Sequence, residues 1–552
     1  MKIKIFLFSF IFSIIPGLLF AQINPAEKPL KEISFKDLSL EQKLAQTIFI
    51  ATDIDTASKY QSAIEKGLVG GVLIQWGNYS LKETKDLIDK MQSWAKKSPL
   101  GLPLLIAIDY EGGTVYTPVT LGFPYLPTNM LLAAANNTMD TTTLFYIVAT
   151  ELKNAGVHIN FAPVIDVNIN PSNPIIGVRS FGSDTQRVSA MGLALINGMQ
   201  KAGIMAVAKH FPGHGETSQD THYATPRFKE DKETFEKIHL PPFKAAIEGG
   251  VMGIMSAHII YDFIDYQNPA TFSPAIINNL LKEQLGFKGI IISDSLDMQG
   301  ASKTGDISSA AIKSLAGGVD IVLTSRQNPA KTSAELLKQI DKTLPKIRVE
   351  EASQKVFNLK KQLGLFDEPK PVMPIKSSLE AYDYFAQKLS NQGVSVIRAE
   401  KDFIPFKTQK QNPKLCAVVF SPARFADQLT VFSAPFIEKG WQVKYYNASM
   451  RPKAKDIERA KECMKGADLV VAGSLQWADK PLESQKNALR QLFRINPNIV
   501  LLSLMSPYDI ENYPQAKNVI AMYGVSRFSS KAAADIILGN IEPKGQSPVN
   551  LK

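Results

Sequence analysis

The stretch Ile204-Met205-Ala206-Val207-Ala208-Lys209-His210-Phe211-Pro212-Gly213-His214-Gly215-Glu216-Thr217-Ser218-Gln219-Asp220-Thr221-His222 decides how the rest of the chain is read. It passes from an apolar segment into a loop holding three of the chain's six histidines, two carboxylates and two glycines. An apolar run that stops at a charged residue and opens into Gly and Pro is a buried strand feeding a loop. Barrel enzymes keep their chemistry on such loops, at the carboxyl ends of their strands.

Outward from this stretch the same rhythm recurs. Eight short apolar runs fall at 46–51, 71–75, 104–108, 158–162, 205–208, 253–256, 289–293 and 320–324, most of them separated by segments of helical length. Such alternation predicts repeated βα units and a parallel sheet. Eight units in this span predict a (β/α)8 TIM barrel over residues 30–366. A doubly wound sheet would need fewer strands and a Gly-rich phosphate turn after the first, and no such turn is present. Residues 367–376 contain Pro369, Pro371 and Pro374, a linker composition. Residues 377–552, with six further apolar runs, are predicted to form a smaller α/β domain with a mostly parallel sheet. That domain has no histidine or cysteine cluster and no phosphate loop.

Composition bounds the function. The chain has 552 residues, 45% hydrophobic and 21% charged, the balance of a globular protein with two or more domains. Lys+Arg exceed Asp+Glu by 62 to 52 without any basic block, so no nucleic-acid partner is expected. Residues 1–21 carry Lys2 and Lys4, an apolar stretch and Leu19-Phe20-Ala21, the layout of a secretory signal cleaved after Ala21. The stretch falls short of the ~20 apolar residues that span a bilayer and is broken by Pro16, so no stable membrane anchor is expected. The expectation is an exported protein, periplasmic or secreted. Cys416 and Cys463 form either one bridge or two buried thiols. The oligomeric state is not readable.

Ionisable residues follow several apolar runs: Asp109 and Glu111 after the third, Arg179 beyond the fourth, Lys209 to His222 after the fifth, His258 after the sixth, Asp294 after the seventh. All fall on one rim of a barrel, where packing alone gives no reason for them. Asp294, held at a strand end, suits nucleophilic attack; helix capping is its ordinary alternative, which Asp297 fills more naturally. Asp220 is two residues from His222, close enough to fix which ring nitrogen carries the proton. Gly213 and Gly215 read as a hinge for that histidine. His210, His214, Asp220 and His222 fit no familiar metal spacing, so neither metal nor cofactor is expected.

These blocks carry a resemblance. Lys209 to Gly215 with Asp220-Thr221-His222 resembles the signature loop of the β-N-acetylhexosaminidases of glycoside hydrolase family 3. Asp109-Tyr110-Glu111-Gly112-Gly113, Arg179-Ser180-Phe181-Gly182, Met255-Ser256-Ala257-His258 and the run ending Ser293-Asp294-Ser295-Leu296 are similar to the family's other blocks, in the same order. The resemblance implies Asp294 as nucleophile and His222, paired with Asp220, as general acid and base in a retaining mechanism. It also implies that Asp109, Arg179, Lys209 and His210 hold the sugar next to the scissile bond; a rim salt bridge with Asp109 or Asp166 is the simpler role for the two cations. The substrate expected is a carbohydrate containing N-acetylglucosamine, from cell-wall (peptidoglycan) fragments or chitin, cut by an exo-acting β-N-acetylglucosaminidase. A β-glucosidase or β-xylosidase, a phosphorylase and a non-catalytic wall-binding protein are the competing readings. Where the family commonly continues with arginines, this chain has Thr114 and Thr117, which bears on fine substrate preference.

Overall fold

Short runs of Ile, Val and Ala become eight parallel strands: β1 (Ile48–Thr52), β2 (Gly71–Ile74), β3 (Leu105–Ile108), β4 (Ile159–Asn160), β5 (Met205–Phe211), β6 (Gly253–Ser256), β7 (Ile290–Ser293) and β8 (Val322–Leu323). Their order is β7-β6-β5-β4-β3-β2-β1-β8, and a parallel bridge between Ile292 and Ile321 joins the two ends into a barrel. The computed structural model describes residues 33–551 apart from 76, 78–79, 114–125, 303–305, 368–375 and 478–481. The signal at 1–21, most of the linker, Thr114 and Thr117 lie outside these described residues.

Successive strand residues point to opposite faces, and both faces are apolar, as a parallel sheet requires. Phe49, Ala51, Leu105, Ala107, Met205 and Val207 fill the barrel interior. Ile48, Ile50, Ile106, Ala206 and Ala208 face the surrounding helices. Three strands differ from the sequence expectation, and β8 keeps only Val322–Leu323 of its 320–324 run. β4 is only two residues long; Pro163, with no N–H to donate, follows shortly after it. β5 runs three residues beyond its apolar run to Phe211, because Lys209 and His210 are buried with charged partners inside the strand.

The second domain is a six-stranded sheet: β9 (Ser395–Arg398), β10 (Lys414–Phe420), β11 (Gln442–Ala448), β12 (Leu469–Ser474), β13 (Val500–Ser503) and β14 (Asn518–Ala521). The order is β11-β10-β12-β13-β14-β9, parallel except for β9 against β14. The sequence left the cysteines open; they form a disulfide, Cys416–Cys463, between β10 and the helix Ala454–Met464.

This domain grips the barrel on the side of β3 and β4. The helix Lys376–Gly393 packs on the barrel helices Asn129–Ala135 and Thr138–Asn154. Thr128 donates its hydroxyl to Tyr523 O at 2.7 Å. The closing segment reaches the loop that carries Arg179: Ser183 N donates to Pro548 O at 3.0 Å. A Cβ at Gly182 would lie 2.2 Å from Pro548 O, and Gly182 has φ +123°, a conformation side chains rarely adopt. Gly182→Ala is therefore expected to cost more than about 1 kcal/mol and to raise KM by displacing Arg179. Denaturant unfolding and steady-state kinetics check both.

Candidate active site

Each ionisable side chain at the barrel rim is placed by a strand exit. Asp109 and Glu111 leave β3 two residues apart, hence on one side of the chain. Asn160 at the end of β4 clamps the residue between them, accepting from Tyr110 N (2.8 Å) and donating to Tyr110 O (2.9 Å). The pairing of β5 with β6 slips between Ala208 and Phe211, which breaks regular alternation. Lys209 and His210 both line the pocket as a result. Arg179 ends a single turn, Gly177–Arg179, and its carbonyl takes the Asn129 amide at 2.6 Å.

The floor of the site is a buried ionic cluster. Glu111 accepts both arms of Arg179, from Nε at 2.7 Å and Nη2 at 2.8 Å. Lys209 Nζ lies 2.6 Å from Glu111 and 2.7 Å from Asp109. Burial would push the Glu111 carboxyl up, but Arg179 and Lys209 outweigh it and bring its pKa down to about 2. Burial likewise opposes the Lys209 charge, and the two carboxylates overcome it, raising its pKa. Asp109 shares Lys209 with Glu111, so burial wins there and its pKa is raised. Asp109 is also the member left 24% exposed, against 2% for Glu111, and so the one a ligand can reach.

A second group fixes the imidazoles. Asp166 accepts from His210 Nδ1 and from His214 N, each at 2.7 Å. A carboxylate only accepts, so His210 Nδ1 carries a proton and Nε2 is left for a ligand. Burial lowers the His214 pKa to about 4. Its Nδ1 meets Thr217 Oγ1 at 2.9 Å, a structural role. Among the described residues no group of three or more His, Cys, Asp or Glu is arranged to hold a metal ion.

Asp294 follows β7 and accepts from Ser295 N at 2.7 Å. The next helix, Gln299–Ser302, starts five residues on, so Asp294 does not cap it. Burial would raise the Asp294 pKa, but His210, His258 and the Ser295 N–H bond outweigh it, and the pKa is lowered. His258 holds the backbone beside it, its Nε2 donating to Ser295 O at 3.0 Å while Nδ1 faces the Thr271 hydroxyl at 2.9 Å.

Across the pocket, His222 Nδ1 meets Asp220 Oδ1 at 2.7 Å, and His222 N donates to the same oxygen at 2.8 Å. The hydrogen bond to Asp220 is the largest cause raising the His222 pKa, with the Asp294 charge adding to it. Nδ1–H is thereby committed and Nε2 is the atom free to move a proton. The His222 side chain is 45% exposed, so it can reach a bound molecule. The loop is stitched to the segment after Asp294, because Gly300 N donates to Thr221 O at 2.9 Å.

The structure departs from the sequence reading at the glycines. Gly213 and Gly215 are packed rather than hinged: a Cβ on Gly215 would lie 1.8 Å from Val167 O, and one on Gly213 3.0 Å from His239 Cβ. Residues 211–217 are buried, and exposure begins at Ser218. All seven residues singled out from the sequence are brought together, six around one pocket of about 260 Å³ and Asp220 directly behind His222. Arg179 does make a salt bridge, but to Glu111 rather than Asp109 or Asp166. Glu111, Asp166 and His258 were not given their roles. The two-residue spacing from Asp109 is a signal for Glu111; nothing local marks the other two.

The (β/α)8 barrel carries this cluster on its carboxyl rim, where that fold places catalysis. Residues 39–359 match the family described as Glycosyl hydrolase family 3 N terminal domain. The chain belongs to that family and is a glycoside hydrolase, acting on a carbohydrate. It is 39% identical over 277 residues to a protein named beta-hexosaminidase from Nitrosomonas eutropha, covering 49% of this chain and 77% of the relative. A beta-hexosaminidase from Idiomarina loihiensis is 35% identical over 314 residues, 54% of this chain and 90% of the relative. Among solved structures, a glycoside hydrolase family 3 beta-N-acetylglucosaminidase from Paenibacillus sp. superposes with a TM-score of 0.84 at 27% identity, covering 93% of this chain and 99% of that one.

Glu111 is the residue on which the floor depends. Glu111→Ala takes the shared carboxylate from the buried Arg179 and leaves Lys209 only Asp109, and it is expected to cost about 3–5 kcal/mol, read by denaturant unfolding. With its folded pKa near 2, below the ordinary 4.5, the stabilising contribution of Glu111 is complete above pH 4.5 and is lost as pH falls from 4.5 towards 2. Stability against pH for wild type and Glu111→Gln measures that difference.

Proposed function

We propose that this chain is a retaining, exo-acting β-N-acetylglucosaminidase, exported from the cell, that removes terminal β-linked N-acetylglucosamine from cell-wall fragments or chitin oligosaccharides. The observation that carries the reaction is the convergence, on one pocket, of an ionised Asp294 and an imidazole whose Nδ1 is bound by Asp220. The names of the relatives support the sugar. The pocket's modest size suits one terminal residue better than a chain running through it. The Cys416–Cys463 disulfide supports an oxidising compartment, and residues 1–21 supply the export signal.

Asp109, Lys209, His210 and Arg179 form the sugar-binding floor, the first three as ligands for hydroxyl groups and Arg179 as the counterion that keeps Glu111 ionised. Carboxylate acceptors and cationic donors on strand ends hold hydroxyls in fixed directions. Asp294 attacks the anomeric carbon while His222 Nε2–H protonates the departing glycosidic oxygen, giving a covalent glycosyl-enzyme. The now neutral His222 Nε2 then takes a proton from water, whose oxygen attacks the same carbon and frees Asp294. Histidine thus does the work of the second carboxylate. Its raised pKa favours the acid form needed for the first step.

Release of p-nitrophenol from glycosides of N-acetylglucosamine, glucose and xylose tests the sugar assignment, and turnover of the glucoside alone would overturn it. Acceleration by phosphate with formation of a sugar 1-phosphate would convert the reading to a phosphorylase. Asp294→Ala is expected to abolish turnover, and wild-type rates would remove its role as nucleophile. His222→Ala should slow glycosylation by about 10²–10⁴-fold on unactivated glycosides and much less on activated aryl glycosides, whose leaving groups need little protonation. In the pH profile of kcat/KM, activity falls as pH rises through the His222 pKa, above 6.5. Asp220→Asn should move that limb to lower pH, since the bond to Asp220 is its main support.

A further inference from the structure

The second domain contains a cavity of about 650 Å³ that the catalytic reading does not use. Three strand exits line it: Ser421 and Pro422 after β10, Asn447 and Arg451 at and beyond the end of β11, Gln476 and Trp477 after β12. None of these residues lines the barrel pocket.

Topology accounts for its position. In the order β11-β10-β12, the chain leaves β10 for one neighbour and returns past it to the other. Right-handed crossovers send the segments after β10 and β12 to opposite faces of the sheet at this reversal. A crevice opens beyond the carboxyl ends of the two strands, the place where parallel α/β sheets bind ligands. The volume lies in the range of small-molecule sites.

The walls select the occupant. Trp477 is only partly buried, with the Arg424 guanidinium 5.2 Å from its ring. Met450 and Leu475 extend the apolar wall. The Ser421 hydroxyl lies 2.9 Å from Asn447 Oδ1, which fixes the amide and leaves its N–H donors to a ligand. Arg451 stands exposed in the lining, and no lining residue among those described is a carboxylate. A nucleotide phosphate would need a Gly-rich turn opening a helix. After β10 the chain reads Ser421-Pro422-Ala423-Arg424, without glycine, and enters only short turns. An aromatic face beside a fixed amide donor and an exposed guanidinium suits a sugar, whose C–H face packs on the ring while its hydroxyls take the donors.

We propose that this cavity is a second saccharide-binding site, distinct from the catalytic pocket, in which a sugar ring stacks on Trp477 and is held by Asn447 and Arg451. It rests on the enzyme acting on a glycan and not on which sugar is cleaved. Occupied by one part of a glycan, it would raise the local concentration of chain ends at the barrel.

The test is calorimetric titration of full-length Asp294→Ala protein, which does not consume its ligand, with N-acetylglucosamine oligosaccharides and in parallel with glucose oligosaccharides. Two binding events per chain are expected, with one lost when Trp477→Ala is added. Arg451→Ala, a change at an exposed position, should weaken that same event several-fold, so the site stays testable if the tryptophan variant unfolds. A single event in every protein with every oligosaccharide, or saturable binding of ATP in place of any of them, would overturn the proposal. A second event with glucose oligosaccharides alone would uphold it while counting against the N-acetylglucosamine assignment of the catalytic pocket.

Discussion

Glu111 is a carboxylate with almost no exposure to water, and its charge is tolerable only because Arg179 and Lys209 close on it from two other strand exits. Desolvating a single ion costs several kcal/mol, so the three groups have to be solved together. In solving them the fold ties β3, the loop after β4 and β5 into one rim. Asp109 then receives only a share of Lys209 and keeps one side open. The proposed sugar-binding surface follows from how the charges at its base are neutralised.

The proposed catalytic pair stands on a different kind of support. Asp294 and His222 come from separate loops, and backbone bonds from Gly300 N to Thr221 O and from Gln299 N to His222 O join those loops directly. His258 fixes the carbonyl next to Asp294, and Asp166 orients His210, one of the groups that keep Asp294 ionised. The two glycines of the opening stretch serve this rigidity. With no Cβ at position 215, the chain can lie against the Val167 carbonyl, so the buried half of the loop carries the exposed half on a firm base. The second domain adds to it from outside, its closing segment holding Gly182 three residues from Arg179.

The alternation of apolar runs with helical lengths made the barrel and the parallel second sheet legible, and the strand exits after Ile108, Ala208 and Ser293 pointed to Asp109, Lys209, His210 and Asp294. Asp220 and His222 were legible because they are two residues apart and bond locally. Arg179 was found, but its partner was not, since nothing in a linear reading ranks Glu111 above Asp109 or Asp166. Lys209 marked the end of an apolar run but not of β5, because its charge is met by residues about a hundred positions away.

The sequence by itself determined the periods: which segments are strands, how many there are, and which rim would collect the ionisable groups. Those properties repeat over two to four residues, and burial of apolar faces enforces them everywhere. The tertiary structure alone decided the pairings: Glu111 between two cations, His258 behind Asp294, Cys416 with Cys463, and the closing segment on Gly182. Pairing of buried charge depends on three-dimensional distance and on exclusion of water, and neither is written in the spacing of residues along a chain.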